Sequence, residues 1–344
     1  MSIADEQRVS ASGATTAQSA SQPDAYSPQV IRKLNDLTSD FYAREAASFS
    51  ATRQAPWHGW ERVWKLITAH DAVQNPFPSH AARVPDDDTG DSGAPLTILD
   101  LGCGNLRFER FLAERTNAPL RVTALDNCPD LASPEIGALS AAFPHSLRSS
   151  SAASKTKEED ASGQGANPPE KTIVDLRALD IVESLLDGTF ADRLPRNSHD
   201  LAVAFGLMHH LPTFALRARV LEGLLGSLRP GGFAVVSFWQ FLNDPRLAAK
   251  AATVTAEGRA AHCLPTFHEN DFLLGWQHAE GVYRFCHHTP EDEIDALLAA
   301  IREPNAPSTS GCASAAPPSF REIARFSADG KQENLNRYLI LQRL

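Results

Sequence analysis

Asp100-Leu101-Gly102-Cys103-Gly104-Asn105-Leu106 is the stretch of this chain whose residue types and spacing say most about chemistry. Two glycines one residue apart permit a tight turn and let a ligand approach the backbone, and the helix expected to follow presents free N–H groups. A dinucleotide fingerprint wants a third glycine two or three positions on, where Leu106 and Arg107 stand, so the NAD reading is weak. Farther along, Phe205-Gly206-Leu207-Met208 leads into His209-His210. Neighbouring histidines on a helix or turn point about 100° apart, so one of the two is expected to face a site. Capping a helix or filling a loop is the plainer use for both.

Positioning these residues requires a parallel sheet. Leu96–Leu101 reads as a buried strand, with a helix beginning at Phe108–Glu114 after the glycine turn. Further strands are expected at Leu120–Leu125, Lys171–Leu176 and Leu201–Phe205. A helix over Phe214–Leu228 should stop at Arg229-Pro230-Gly231-Gly232, and a strand should follow at Phe233–Trp239. Helix Glu291–Ile301 opens after Thr289-Pro290 with acids in its first turn, as the helix dipole favours. Strands at Phe320–Phe326 and Arg337–Leu341 flank Asp329-Gly330 as an antiparallel hairpin. The expected fold is α/β: a Rossmann-like, doubly wound, mostly parallel seven-stranded sheet with a C-terminal antiparallel hairpin.

The chain has 344 residues, 42% hydrophobic and 22% charged, enough for a full core in one domain over 28–344. Residues 1–27 read as a disordered tail, and 77–95, 144–170 and 303–319 as low-complexity surface insertions, because such compositions cannot bury enough apolar surface to order themselves. The first three of these stretches carry more than half of the net charge of −10. A broad basic nucleic-acid face is therefore disfavoured, while a local basic groove is not. The longest strongly apolar run, Phe233–Trp239, falls far short of the roughly 20 residues that cross a bilayer, and the N-terminus lacks a secretory pattern; a cytoplasmic protein is expected. Five cysteines without a CxxC pair suggest reduced thiols, and Cys286-His287-His288 is not spaced for a closed metal site, so no metal is expected.

The D-L-G-C-G-N turn resembles the first motif of class I S-adenosylmethionine-dependent methyltransferases. That resemblance implies S-adenosyl-L-methionine as cofactor, with Asp100, Gly102, Cys103 and Gly104 at its methionine part. It implies that Asp126, beside Asn127, accepts hydrogen bonds from the ribose hydroxyls, that Asp180-Ile181 meets the adenine, and that Phe205 closes the same site. An ordinary N-cap is the plain reading of Asp126, and a solvated loop acid that of Asp180.

A narrower resemblance comes from Phe49-Ser50-Ala51-Thr52-Arg53-Gln54-Ala55-Pro56-Trp57, preceded by Asp40-Phe41-Tyr42. It is similar to the F-S-x-T-R-x-x-P-W segment of the tRNA wobble-uridine carboxymethyl methyltransferases, the group that includes the methyltransferase domain of the AlkB homologue 8 proteins. Tyr283-Arg284-Phe285-Cys286-His287 resembles that group's R-Y-Y-H element, with Phe285 and Cys286 in place of its two tyrosines, and Asn336-Arg337-Tyr338 its closing strand. The resemblance implies transfer of a methyl group to a carboxymethyl group of tRNA, and a small activator protein as a conceivable partner. A carboxylate is already ionised at pH 7 and needs orientation rather than a strong base. Arg53 and Arg284 would clamp it by paired hydrogen bonds, and His209 or His210, with His287, would complete the catalytic set. A small carboxylate or hydroxyl acceptor, with 241–290 as a substrate-side insertion forming a lid, is the alternative; a cofactor-binding scaffold without catalysis is another. Trp57, Trp60 and Trp64 could stack a base, but their spacing fits a packed helix face better.

Overall fold

The computed structural model describes residues 26–74, 94–132, 147–149, 172–277, 279–303 and 318–344. Most of the expected tail and low-complexity insertions lies outside the described residues. Two of their boundaries move. Tyr26 is buried and donates to Asp271 Oδ2 at 2.8 Å, and Ser27 caps the first helix, so the ordered chain includes both. Within 144–170, Leu147–Ser149 forms a short parallel edge strand, so that stretch is not wholly a surface loop.

The strands are β1 (Leu96–Leu101), β2 (Leu120–Asp126), β3 (Leu147–Ser149), β4 (Thr172–Ala178), β5 (His199–Ala204), β6 (Leu228–Trp239), β7 (Asp271–Leu274), β8 (Arg284–His287), β9 (Phe320–Ala328) and β10 (Asn336–Arg343). The main sheet runs in the order β3-β4-β2-β1-β5-β6-β10-β9, eight strands rather than seven, the extra one being β3. β1 pairs in parallel with both β2 and β5, so the chain winds outward on one side and then on the other. That reversal opens a crevice at the carboxyl ends of β1 and β5, where this topology places ligands. β10 runs antiparallel to both β6 and β9.

Helices cover both faces: α1 (Pro28–Ala51), α2 (His58–Gln74), α3 (Arg107–Arg115), α4 (Ile181–Leu186), α5 (Phe190–Arg193), α6 (Phe214–Ser227), α7 (Pro245–His262) and α8 (Glu291–Arg302). β1 reads as a continuous apolar run because it is buried from both sides. Leu96 and Ile98 join the core under α2 and α3 with Trp60 and Phe111; Leu99 and Leu101 join the other core, with Leu34, Leu221 and Leu297.

β6 begins five residues before the expected Phe233. Leu228 pairs with His199 and Phe233 with Leu201, so Arg229-Pro230-Gly231-Gly232 is a bulge inside the strand rather than a break before it. A Cβ on Gly232 would lie 3.0 Å from the Asp200 carbonyl oxygen, a close approach that favours glycine. The region read as a substrate-side insertion contains α7 and a separate two-stranded sheet of β7 with β8. It has its own small core of Phe241, Ala251, Leu274 and Cys286, and docks on α1 where Phe285 N donates to Thr38 Oγ1 at 3.0 Å. Among the described residues no helix is long and apolar enough to cross a membrane.

Candidate functional site

The backbone enters positive φ at Gly102 (73°), Gly104 (55°) and Leu106 (54°), bending β1 into α3. At Gly104 an added Cβ would meet nothing within 4 Å, which leaves the turn open toward a cavity of about 160 Å³. Asp126, at the end of β2, secures the turn: its Oδ2 accepts from Gly104 N at 2.9 Å and its Oδ1 from Cys128 N at 2.8 Å. A carboxylate has further lone pairs, so these bonds leave Asp126 able to accept from a ligand. Asp180 is the N-cap of α4, accepting from Glu183 N at 2.9 Å, and also accepts from Asn35 Nδ2 at 2.8 Å. It is therefore a structural cap facing the cavity rather than a free loop acid. Asn127 donates to Ser39 Oγ at 2.9 Å. Asp100, Gly102, Cys103, Gly104, Asp126, Asn127, Asp180, Ile181 and Phe205 all line this one cavity.

Beneath the turn lie two buried acids, Asp100 and Glu109, 2% and 1% exposed. Burial pushes both carboxyls up, Glu109 to about 7, and the charge of Glu109 adds to the rise at Asp100. Glu109 has no sequence signal beyond its place on α3.

Residues 52–57 form a strap across this region. Asn105 Nδ2 donates to Arg53 O at 3.0 Å, Arg110 Nη2 to Gln54 O at 2.8 Å, and Arg107 Nη1 to Ala55 O at 2.9 Å. The distinctive F-S-A-T-R-Q-A-P-W stretch is thereby tied to the glycine turn. A second cavity, of about 660 Å³, adjoins the first, and the two share Tyr42, Phe49, Arg53, Trp57, Arg107 and Gly206 as walls.

Arg53 and Arg284 both line the second cavity. Arg53 lies 4.0 Å over Phe49 and 4.8 Å over Trp276. Arg284 opens β8 and is 5% exposed, packed over Phe41 at 4.7 Å and Trp239 at 5.4 Å. Among the described residues neither forms an ion pair with a carboxylate. Burial and the charge of Arg284 bring Arg53 down to about 10, which still leaves it cationic at neutral pH.

The two histidine rings lie with centroids 4.0 Å apart and tilted at 52°, and both reach the site, His210 lining the first cavity and His209 the second, against the expectation of one. The 3-10 turn at Met208–His210 places them side by side instead of apart. His210 Nδ1 is 2.7 Å from Phe285 O, and its Nε2 is 2.9 Å from the Tyr42 hydroxyl. A carbonyl only accepts, so Nδ1 carries the proton and Nε2 accepts from Tyr42. Burial and Arg284 hold His210 down to about 3, and burial with His210 holds His209 well below the usual imidazole range.

His287 stands elsewhere and lines neither cavity. Its Nδ1 is 2.6 Å from Asp271 Oδ1 and its Nε2 2.8 Å from Glu293 Oε2, while Arg217 pairs with Glu293 at 2.7 Å. It is a buried cross-link between β7, β8 and α8. Among the described residues the metal-type donors that converge are His209, His210 and Cys286, within 4.8 Å of one another. Both ring nitrogens of His210 are already engaged, and the fixed charge of Arg284 beside Cys286 opposes a divalent cation. Trp60 is 2% exposed in the core, as its spacing suggested, while Trp57 faces both cavities.

No family model and no curated protein matches the chain. It is similar to solved structures of S-adenosylmethionine-dependent methyltransferases. One, from Methanosarcina mazei, is 17% identical, with 73% of this chain and 93% of that chain covered and a TM-score of 0.42. Another is the 1,6-didemethyltoxoflavin-N1-methyltransferase of Burkholderia thailandensis with bound 1,6-didemethyltoxoflavin and S-adenosylhomocysteine: 15% identical, 94% and 92% covered, TM-score 0.43. A third is DhpI in its SAM-HEP complex: 13% identical, 92% and 100% covered, TM-score 0.44.

Proposed function

We propose that this chain is an S-adenosylmethionine-dependent methyltransferase that esterifies a carboxylate, the acceptor being the carboxymethyl group of a tRNA wobble uridine. The observation that carries the reading is the pair of guanidiniums, Arg53 and Arg284, set without carboxylate partners among the described residues beside the junction of the two cavities.

The first cavity suits the cofactor on its own chemistry. Gly104 leaves room for a ligand against the backbone, Asp126 has acceptor capacity for a pair of hydroxyls, and Ile181 offers an apolar surface for a purine beside Asp180. When bound, the cofactor supplies an electrophilic sulfonium methyl group. On this reading Arg53 and Arg284 hold the acceptor carboxylate in place by paired hydrogen bonds, and Phe49, Trp57 and Trp239 exclude water from it. His209 and His210, both kept neutral by their surroundings, remove no proton, which an ionised carboxylate does not require. A volume of about 660 Å³ is in the range of sites that take a drug-sized ligand, and so accommodates a single nucleoside with an aromatic wall to stack on.

A small free carboxylate is the second reading, favoured by the net charge of −10, which opposes a polyanionic partner. Transfer of labelled methyl into tRNA, lost on mild alkaline hydrolysis as an ester would be, supports the first acceptor. Alkali-labile label in a small-molecule extract alone supports the second. Alkali-stable label in either pool contradicts carboxylate methylation, and tight cofactor binding without any transfer marks a non-catalytic scaffold.

A further inference from the structure

The wall shared by the two cavities carries more positive charge than one carboxylate answers, and we propose that the acceptor is a dianion. Besides the carboxylate that takes the methyl group between Arg53 and Arg284, it bears a second anionic group, carboxylate or phosphate, held by Arg107. This rests on the reading that a carboxylate is methylated.

Arg107 rises from the first turn of α3 and is 9% exposed. Its guanidinium lies 5.3 Å from the Trp57 ring centroid and 5.1 Å from that of Trp60, and Nη1 donates to Ala55 O. Its Nε is buried with no acceptor among the described residues, and so is that of Arg284, itself 5% exposed. Two nine-tenths-buried guanidiniums with unanswered donors are costly unless a ligand completes them. Arg53 is repelled by Arg284 and in turn repels Arg107, and its guanidinium donates to the neighbouring Thr52 hydroxyl at 3.1 Å. Lys250 adds a further cation to the second cavity.

Among the described residues no carboxylate pairs directly with Arg53, Arg107 or Arg284, although the charge of Asp329 attracts Arg107. Asp329 is the acid that lines the second cavity, and it is committed: Oδ1 accepts from Gly59 N at 3.1 Å, and Oδ2 from Asn336 Nδ2 at 2.8 Å and from the Tyr338 hydroxyl at 2.6 Å. The cofactor supplies no compensating charge either. Its sulfonium and ammonium outweigh its single carboxylate, so its binding adds a net positive charge. A direct partner for these guanidiniums therefore falls to the acceptor, and one carboxylate leaves at least one of them unpaired.

The test is calorimetry on the S-adenosylhomocysteine-saturated protein with paired probes: phenylacetate against benzene-1,4-diacetate, and uridine-5-acetate against its 5′-monophosphate. In at least one pair the probe with the second anionic group should bind about ten-fold or more tightly than the one without it, as expected for one added charge-assisted contact. A preference in the first pair identifies the second group as a carboxylate, and in the other pair as a phosphate. Arg107→Gln should abolish the preference while the monoanion still binds; Arg107→Lys should keep part of it. Equal binding of mono- and dianions overturns the dianion and leaves carboxylate methylation standing. Failure of every carboxylate to bind overturns both. Loss of S-adenosylhomocysteine affinity in Arg107→Gln with the preference intact assigns Arg107 to the cofactor and overturns the proposal.

Discussion

Asp126 Oδ2 accepts a hydrogen bond from the backbone N–H of Gly104 at 2.9 Å, so the last residue of β2 holds open the turn that ends β1. The same carboxylate fixes the next turn through Cys128 N and faces the cavity. Asp126→Ala should weaken S-adenosylhomocysteine binding by about ten- to a hundred-fold, the scale of lost hydrogen bonds to a charged group. Asp126→Asn should lose less. Titration calorimetry on both variants checks the order.

Gly104 has a φ of 55°, and a Cβ there would point into open cavity. Gly104→Val should cost only about 1–2 kcal/mol of stability, the scale for a left-handed non-glycine residue, yet remove most cofactor affinity by occupying the space. A melting curve with and without S-adenosylhomocysteine reads both effects.

The Glu109 carboxyl, pushed up by burial to about 7, binds its proton more tightly folded than unfolded. The folded state therefore takes up protons as pH falls, and the stability this contributes is lost as pH rises from about 4.5 toward about 7. Glu109→Gln should remove that loss: the variant should melt higher than the parent at pH 8 and close to it at pH 5, by a few kcal/mol at most. Equal melting at both values would show that Glu109 ionises without penalty.

His287 joins Asp271 and Glu293 outside both cavities. Its replacement by alanine leaves Asp271 and Glu293 without their shared partner, and should cost about 3–5 kcal/mol. The fraction that remains folded should bind S-adenosylhomocysteine as the parent does. A variant that keeps its melting temperature but loses transfer would return His287 to the catalytic set.

How much of this is legible in the chain follows the range of the interactions. The glycine turn and the acids ending β2 and following β4 are local, set by spacing along a strand-turn-helix, and in the fold they line one cavity. The strands stand out because they are apolar runs buried on both faces. What escapes a local reading is built by residues far apart in the chain. Tyr42 meets His210 across 168 positions, and Arg284 is buried by aromatic rings from α1 and β6 that no local pattern announces. Motif likeness assigns His287 to the site, but its neighbours on β7 and α8 claim both its nitrogens. The start of β6 lies ahead of its expected place because Pro-Gly-Gly signals a break in any local reading, whereas here it forms a bulge against β5.

With His210 held to about 3 and its Nδ1 proton fixed on Phe285 O, its imidazole is not poised to take a proton from the acceptor. The transfer rate at saturating cofactor should therefore stay flat through the pH range around 6.5 in which an ordinary histidine titrates. A limb that vanishes in His210→Gln would show that the histidine acts as a base after all.

Titrating S-adenosylhomocysteine into the purified protein tests the central claim most directly. One-site binding that is strongly weakened in Asp126→Ala, with the variant still folded, is the predicted result. Absence of binding heat for this ligand and for S-adenosylmethionine, at several temperatures, would contradict the account from its foundation.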